Sequence, residues 1–345
     1  MKKPTKRLIK ALVSLSFFAF LFYFVNTHNL AQTLKTMDAF YFTISILLAL
    51  VMVFSSCLKW QVSVQLTGET VSFSRLCSIY LIGYYFSNLL PSNIGGDVVR
   101  SYYLGRSVKS QSQAAASVFI ERVSGMLFLL LLTVLVPLLR PGGYRSPYLA
   151  FPALGAAGLL SLFVLLTLIP QPIDTLRKIS AYLLRCLHLP VDGWAGRLSA
   201  RLLDAIGGVY EKTAQAVRTA RQDRPALLKM GLLTVWFYLL TWVNVYWAFR
   251  IFGAYPTFAQ VASVTPAIMV VSMIPVSLGS LGLAEGAYVL YFSMIGMQPS
   301  EALAVGLFMR FKVLLVGVVG AWFYLIHKHE VNRDMLQQAE AEKHA

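Results

Sequence analysis

The stretch Ser87–Arg106 reads SNLLPSNIGGDVVRSYYLGR and decides how the rest of the chain is interpreted. It follows an apolar run that is too short to cross a bilayer, breaks at Pro91, turns through two glycines and resumes with Asp97 and Arg100. Freed backbone amides and carbonyls find no water in hydrocarbon, so a broken helix at membrane depth needs a protein cover or a wet cavity. The stretch is therefore the first candidate site.

The composition predicts a membrane protein. Of the 345 residues, 57% are hydrophobic and 13% are charged, and the mean hydropathy is +0.64. A soluble domain carries about a quarter charged residues. The formal net charge is +15, but the basic residues lie in short loops between apolar runs. This distribution favours a face turned toward anionic lipid and argues against nucleic-acid binding.

No pattern of catalytic or metal-binding residues is visible. The three cysteines, Cys57, Cys77 and Cys186, are scattered, and the five histidines lack metal-ligand spacing. The chain has no nucleophile elbow, no Cys/His pairing and no phosphate-binding loop for ATP. We therefore expect no enzyme activity, no disulfide framework, no metal and no cofactor.

Hydropathy predicts an all-α polytopic fold, because a spanning helix needs about 20 apolar residues. Six runs qualify, namely Leu8–Val25, Phe40–Leu58, Ala114–Leu139, Tyr148–Ile169, Leu227–Phe252 and Leu303–Ile326. Four runs are too short and form two pairs interrupted by Pro and Gly, namely Leu76–Leu90 with Val98–Leu104, and Val261–Ile274 with Leu281–Ile295. Each pair is predicted to be a re-entrant hairpin that enters and leaves the membrane on one side.

The basic loops predict the orientation. The N-terminus, MKKPTKRLIK, is basic, and no small-residue cleavage site follows the first run, so that run is interpreted as a retained span. Lys59 and Arg75 are assigned to the same inner side. Both termini are then cytoplasmic, and the predicted location is a bacterial inner membrane.

The domain prediction is a single transmembrane domain, residues 1–330, followed by a polar tail, residues 331–345. Residues 172–225 form the one sizeable stretch outside the membrane, with apolar residues at helical spacing and arginines between them. Two interpretations stay open for this segment: a solvated helix pair that caps the bundle, or an amphipathic helix lying on anionic lipid.

An internal repeat is visible in the sequence. Residues Met273–Phe292 read MIPVSLGSLGLAEGAYVLYF and echo the first break, with equal spacing from the proline to a following glycine. Three predicted spans separate the two hairpins, and three is odd, so the hairpins should enter from opposite faces. Inverted repeats of broken helices are a recurrent transporter design. Chance similarity of two Pro/Gly breaks is the alternative.

The first break has the parts of an anion site. Asn93, Gly95 and Gly96 let the backbone approach a ligand, and the helix that starts near Asp97 directs free N–H groups into the break. Those amides and Arg100 could hold a phosphate. The alternative is that Asp97 caps its own helix and pairs with Arg100.

Further charges lie inside predicted spans. Glu121 and Arg122 fall in the third run, Arg310 and Lys312 fall in the last run, and Glu285 follows the second break. Ionised groups at such depth are costly and mark pathways by default. Structural ion pairs, such as Glu285 with Arg310, are the alternative. We count Asp97, Glu121, Arg122, Glu285 and Arg310 among the binding residues.

The motifs NLLPSNIGGDVVRSYYL at Asn88–Leu104, ERVSG at Glu121–Gly125 and IPVSLGSLGLAEGAY at Ile274–Tyr288 resemble the transmembrane region of lysylphosphatidylglycerol synthases. The resemblance spans the chain from the first run to about Ile326. It implies a flippase-like, lipid-handling membrane protein. In the bifunctional members a soluble synthase aminoacylates phosphatidylglycerol and the membrane part translocates the product. That synthase half is missing here, so aminoacyl transfer is not expected.

The sequence therefore predicts a protein that moves a phospholipid or a polyprenyl-phosphate-linked lipid between leaflets. Anionic or aminoacylated headgroups are the expected partners. Two alternatives remain: a lipid-binding partner subunit of a separate glycosyl- or aminoacyl-transferase, and an ion-coupled transporter of a small anion. The sequence leaves the oligomeric state open.

Overall fold

The computed structural model describes residues 37–89, 95–108, 110–138, 146–168, 223–274 and 277–343, together with isolated residues between these ranges. The regular elements in this part of the chain are helices. They are α1 Ala39–Gln65, α2 Phe73–Leu89, α3 Gly95–Val108, α4 Gln111–Leu138, α5 Pro147–Leu168, α6 Arg224–Ile251, α7 Phe258–Ser272, α8 Leu283–Ser293 and α9 Pro299–Lys343. The first predicted span, the tip of the first hairpin with Asn93, and most of residues 172–225 lie outside the described residues.

Five helices are long and apolar enough to cross a membrane: α1, α4, α5, α6 and the part of α9 from Pro299 to Ile326. Each coincides with one of the predicted spans, so the polytopic all-α fold is confirmed. Polar caps start two of the long helices. The Asp38 carboxylate accepts a hydrogen bond from the Phe40 amide at 2.8 Å, and the Asp223 carboxylate accepts one from the Ala226 amide at 3.0 Å.

The four short predicted runs are four short helices. α2, α3, α7 and α8 have 17, 14, 15 and 11 residues. At 1.5 Å per residue they are about 16 to 26 Å long, less than the roughly 30 Å of a hydrocarbon core. α2 packs against α3, and α7 packs against α8. The structure thus contains both predicted helical hairpins, each too short for two full crossings.

Both hairpins reach the middle of α9. Near the end of α2, the Asn88 side-chain amide donates to the Val313 carbonyl at 3.1 Å. At the second break, Arg310 donates to the Gly279 carbonyl at 3.2 Å. Residues 310 and 313 lie at the centre of the spanning part of α9, Pro299–Ile326. The Asn88 end of α2 and the turn at Gly279 therefore lie at the same depth along α9.

The hairpins occupy opposite halves of α9. In the first hairpin, the Leu81 carbonyl lies 2.0 Å from where a Cβ atom at Gly320 would be, on the C-terminal half of the span. In the second hairpin, Tyr288 lies 3.3 Å from the corresponding position at Gly306, on the N-terminal half. From mid-span, the described parts of the two hairpins run in opposite directions along α9, so the hairpins enter from opposite ends of the bundle.

Each hairpin has its own apolar core. Trp60, Leu76 and Leu104 belong to the cluster around the first hairpin, and Phe249 and Phe292 belong to the cluster around the second. Side chains of α9 contribute to both clusters. Since lipid tails are as apolar as these side chains, van der Waals packing and close contacts at small residues hold such helices together.

Two sequence predictions need correction or extension. The second span was predicted to end at Leu58, which was wrong, because α1 continues to Gln65 and buries Lys59 at 6% exposure; the side of the membrane assigned to Lys59 stays a prediction. The apolar residues after Lys59 extend the helix by almost two turns. At the other end of the chain, α9 continues as one helix to Lys343 through most of the predicted polar tail.

Candidate functional site

A chain of ion pairs lies beside the first hairpin. The Arg100 guanidinium donates to the Glu121 carboxylate at 2.9 Å and to the Asp97 carboxylate at 2.7 Å. It lies 4.4 Å from the ring centre of Tyr80 and 5.0 Å from that of Trp60. The Arg100 side chain is only 2% exposed. Aromatic faces and carboxylates together compensate the loss of water around this cation.

Arg122 is the most exposed residue in this series of ion pairs. Its guanidinium donates to the same Asp97 oxygen at 2.7 Å, while its side chain remains 55% exposed. Glu121 is buried and accepts a further hydrogen bond from the Tyr80 hydroxyl at 3.4 Å. Because Arg122 lies near the middle of the 28-residue helix α4, it presents charge at a depth where charge is rare.

Two glycines allow α2 and α3 to approach closely around Arg100. A Cβ atom at Gly83 would lie 2.6 Å from the Arg100 Cγ atom, and one at Gly96 would lie 2.4 Å from the Gly83 carbonyl oxygen. Gly95 begins α3. The described contacts give Gly96 a packing role, so its contact with a ligand stays a prediction, as does that of Asn93.

The second hairpin contains an ion pair that also closes its break. Arg310 donates through Nε to Glu285, which is 1% exposed, and through its other nitrogens to the carbonyls of Gly279 and Ser280 at 3.2 Å each. Glu285 also accepts from the Gly282 amide at 2.8 Å. Gly279, Ser280 and Gly282 have φ values of 53°, 58° and 78°, and this left-handed turn favours glycine. Arg310 thereby satisfies carbonyls that a broken helix leaves free.

The structure shows which residues correspond in the two copies of the internal repeat. Asp97 is the third residue of α3 and Glu285 is the third residue of α8. Each carboxylate pairs with an arginine that follows it by 25 residues, Arg122 in the first case and Arg310 in the second. The repeat therefore places Asp97 opposite Glu285. The proline-to-glycine spacing alone would instead place Asp97 opposite Leu281.

The predicted site residues fall into two separate groups. Asp97, Arg100, Glu121 and Arg122 come together at the first hairpin, and Glu285 pairs with Arg310 at the second. Within the described residues no hydrogen bond or ion pair joins the two groups. The ion pairs that were weighed as structural alternatives are thus present. In this conformation, the Arg122 side chain is the most open cation of the first group.

Sequence reasoning left two buried lysines out of the site. Lys312 is 3% exposed, and its ammonium donates to Ser45 at 2.9 Å and to Asn244 at 2.6 Å, with the Phe308 ring 4.7 Å away. This cluster joins α1, α6 and α9, and none of the described residues adds a carboxylate to it. Lys59 is the second. For both residues, the available signal was a lone lysine within or just beyond an apolar run.

These features define a class: a polytopic α-helical membrane protein with two hairpins that enter from opposite ends of the bundle, each with a carboxylate–arginine ion pair. The chain belongs to the family described as the lysylphosphatidylglycerol synthase TM region, which it matches over residues 7–320.

Curated relatives agree with this assignment. A UPF0104 membrane protein of Methanothermobacter thermautotrophicus is 25% identical over 301 residues, covering 81% of this chain and 83% of the relative. A UPF0104 membrane protein of Methanocaldococcus jannaschii is 22% identical over 340 residues, covering 96% and 98%. No solved structure matches the chain.

Proposed function

We propose that this protein moves a phosphate-bearing lipid headgroup between the two leaflets of a cell membrane without changing it chemically. A phospholipid or a polyprenyl-phosphate-linked lipid is the substrate class. The family supports a role in lipid handling, since it is described from the membrane region of an enzyme that makes an aminoacylated phospholipid.

The observation that carries the proposal is the half-exposed Arg122 in mid-span. A guanidinium there is costly unless it faces water, protein or an anionic ligand. Arg122 already has one carboxylate partner, Asp97, and that carboxylate is shared with Arg100. In the described part of the chain Arg122 donates to this one carboxylate, so its remaining N–H groups form a fork that suits a phosphate, and it is the residue a headgroup would meet first.

The hairpins supply the second requirement, access from both leaflets. The Asn88 end of α2 and the turn at Gly279 both contact the centre of α9, and α2 and α8 occupy opposite halves of that helix. Broken helices that meet at the bilayer midplane let one site open to either side by small movements of each repeat. The ion pairs Asp97–Arg122 and Glu285–Arg310 are the contacts that such movements would break.

The test uses purified protein in vesicles that contain phosphatidylglycerol labelled on its headgroup, with a membrane-impermeant quencher outside. Arg122→Gln is expected to slow translocation about tenfold or more, because a charge-assisted contact to the phosphate is lost. Arg106→Gln is the matched control. Arg106 is an exposed arginine of the same hairpin whose guanidinium lies 5.9 Å from the Tyr102 ring centre. It should leave the rate unchanged.

The outcomes separate the competing functions. An unchanged rate in Arg122→Gln, or equal losses in both variants, would overturn the headgroup assignment. Lipid movement that requires a co-purified transferase would indicate the partner-subunit alternative. Transport of a small anion that depends on a proton or sodium gradient, without lipid specificity, would indicate an ion-coupled transporter.

A further inference from the structure

Lys312 is a buried lysine that the proposed headgroup contacts leave unused. It lies at the centre of the spanning part of α9 and is 3% exposed. Its Nζ atom lies 2.9 Å from the Ser45 Oγ atom on α1 and 2.6 Å from the Asn244 Oδ1 atom on α6. An ammonium at this depth is costly, whereas a neutral amine is less so, and ionisable residues inside membrane spans are typical of ion and proton pathways.

The surroundings of Lys312 offer no counter-ion among the described residues, since no charged group there is close enough to interact with it electrostatically. Arg310, two residues away, bonds to Glu285 on α8, and Arg250 on α6 bonds to Tyr246. Further ionisable side chains on the helices next to α9 contact other groups: rings for Tyr41, Tyr84, Tyr85 and Tyr288, and Gly125 for Lys59 and Tyr238. Within this part of the chain, a charge on Lys312 therefore has no opposite charge to balance it.

The groups around Lys312 suit both of its protonation states. The ammonium donates to Ser45 and Asn244, and the Phe308 ring lies 4.7 Å away. The Ser45 hydroxyl then donates to the Asn244 Oδ1 atom at 3.1 Å. A neutral amine needs a donor for its lone pair, and the same hydroxyl supplies one by rotating, because it both donates and accepts. Lys312 therefore keeps hydrogen-bond partners with and without the extra proton.

A short distance separates this cluster from one end of the bundle. Ser45 lies six residues after the start of α1 at Ala39, and Asn244 lies seven residues before the end of α6 at Ile251. These two helix ends are adjacent, because the Asp38 amide donates to the Ile251 carbonyl at 2.9 Å. At 1.5 Å per residue, the cluster is roughly 10 Å from that end.

Lys312 also lies where both hairpins contact α9. Arg310 donates to the Gly279 carbonyl in the turn of the second hairpin, and the Val313 carbonyl accepts from the Asn88 amide of the first. Residue 312 is within one helical turn of both contacts. A change of charge at Lys312 can therefore bias the movement of both hairpins.

We propose that Lys312 is a proton-binding site and that its proton crosses the membrane together with an anionic headgroup. This inference rests on the proposed function and adds its driving force. The Nζ lone pair takes a proton from water on one side and forms an N–H bond, which breaks when the proton returns to water on the other side. One proton cancels a singly charged headgroup, so the protein carries the same net charge loaded and empty, and the movement does no work against the membrane potential.

The coupling test uses the full-length protein in phosphatidylcholine vesicles with a small amount of headgroup-labelled phosphatidylglycerol, an imposed pH difference and a membrane-impermeant quencher outside. Phosphatidylglycerol should accumulate in the leaflet that faces the more alkaline solution. With one proton per lipid, the leaflet ratio should change by up to about tenfold for each pH unit. Protein-free vesicles give the background.

Two variants of Lys312 and one control assign the coupling to this residue. Lys312→Met removes the proton acceptor and Lys312→Arg carries a permanent charge, so both should make the leaflet ratio independent of the pH difference. Lys229→Met is the matched control, because Lys229 is an exposed lysine of α6, and it should respond as the wild type does. A full response in Lys312→Met, or an equal loss in Lys229→Met, would overturn the assignment.

Proton binding is measured separately from transport by 13C NMR of the full-length protein in detergent, labelled at the lysine Cε atom. The Lys312 signal is the one that is missing from Lys312→Met. It should titrate at a different pH from the signals of exposed lysines, and Ser45→Ala should shift that titration. A Lys312 signal that titrates with the exposed lysines, or that stays constant over the pH range in which the protein remains folded, would overturn the proton site.

The remaining outcomes distinguish this inference from the proposed function. Lipid movement that ignores the pH difference in the wild type would refute the coupling and leave the proposed function standing. Accumulation in the leaflet that faces the more acidic solution would refute joint movement of proton and headgroup. A wild type that moves no lipid while Lys312 titrates separately would refute the proposed function, and the coupling with it, and leave the proton site standing.

Discussion

At the scale of single residues, two buried cations have opposite surroundings. Arg100 contacts two carboxylates and two aromatic rings. Among the described residues, the Lys312 ammonium contacts neutral oxygen atoms of Ser45 and Asn244 and one ring, and no carboxylate. Removing one partner of a buried ion pair leaves an uncompensated charge, whereas removing a buried charge that has no counter-ion leaves none.

Arg100→Met and Lys312→Met should therefore differ in stability. Among the described residues, Arg100→Met leaves the buried Glu121 carboxylate with the Tyr80 hydroxyl as its hydrogen-bond donor and without its ion-pair partner, and is expected to lower the free energy of unfolding by about 3–5 kcal/mol. Lys312→Met leaves the Ser45–Asn244 hydrogen bond of 3.1 Å intact and should change stability by less than about 1 kcal/mol, or raise it.

The measurement for this pair is unfolding in mixed micelles of increasing denaturing detergent, followed by circular dichroism. Equal destabilisation of the two variants would contradict the distinction. It would mean that the cluster around Lys312 holds its three helices together through the charge itself.

At the scale of helices, contact between α2 and α9 depends on small residues. A Cβ atom at Gly320 would lie 2.0 Å from the Leu81 carbonyl oxygen, and one at Gly317 would lie 2.1 Å from the Asn88 amide nitrogen. Without side chains at these positions, the backbones approach closely and dispersion contacts accumulate. This contact holds the first hairpin at its depth along α9.

Gly320→Ala should therefore destabilise the protein by about 1–3 kcal/mol, because backbone atoms of α2 must move away. Gly158→Ala on α5 is the control, since nothing lies within 4 Å of its Cβ position. It should be neutral or stabilising by up to about 1 kcal/mol through helix propensity. Thermal unfolding of the two variants in the same detergent makes the comparison, and equal melting temperatures would contradict the close α2–α9 contact.

At the scale of the whole molecule, the arrangement around α9 predicts opposite accessibility for the two hairpin bases. Ser107 lies near the end of α3 and Ser293 at the end of α8, and both are exposed. Each marks the base of one hairpin. Because α2 and α8 run from the centre of α9 toward its opposite ends, these residues should face opposite sides of the membrane.

Ser107→Cys and Ser293→Cys test this topology in a background in which Cys57, Cys77 and Cys186 are replaced. A membrane-impermeant maleimide applied from one side of sealed vesicles should label only one of the two variants, and the same reagent applied from the other side should label only the other. Labelling of both from one side would show that the hairpins enter together.

Much of the fold follows from local sequence patterns. Run length and hydropathy identify helices α1, α4, α5, α6 and α9 as spans, and the same rule identifies four runs as too short. These features are predictable because the bilayer sets a minimum length for any crossing helix, wherever the chain places it. The end of α1 was misjudged, because the rule ended the span at Lys59 although a buried lysine can continue a helix.

The site depended on tertiary structure. The sequence showed that Asp97, Arg100, Glu121 and Arg122 would be costly in a membrane, but their pairing joins residues up to 25 positions apart and is set by the way α3 packs on α4. Periodicity carries no information on such contacts. By itself, the sequence determined a helical membrane protein with two interrupted helical hairpins and with charged residues inside its predicted spans, where charge is costly. Packing alone decided which charges cancel and which cation, Lys59, stays without a partner among the described residues, because compensation depends on distances that only the folded chain creates.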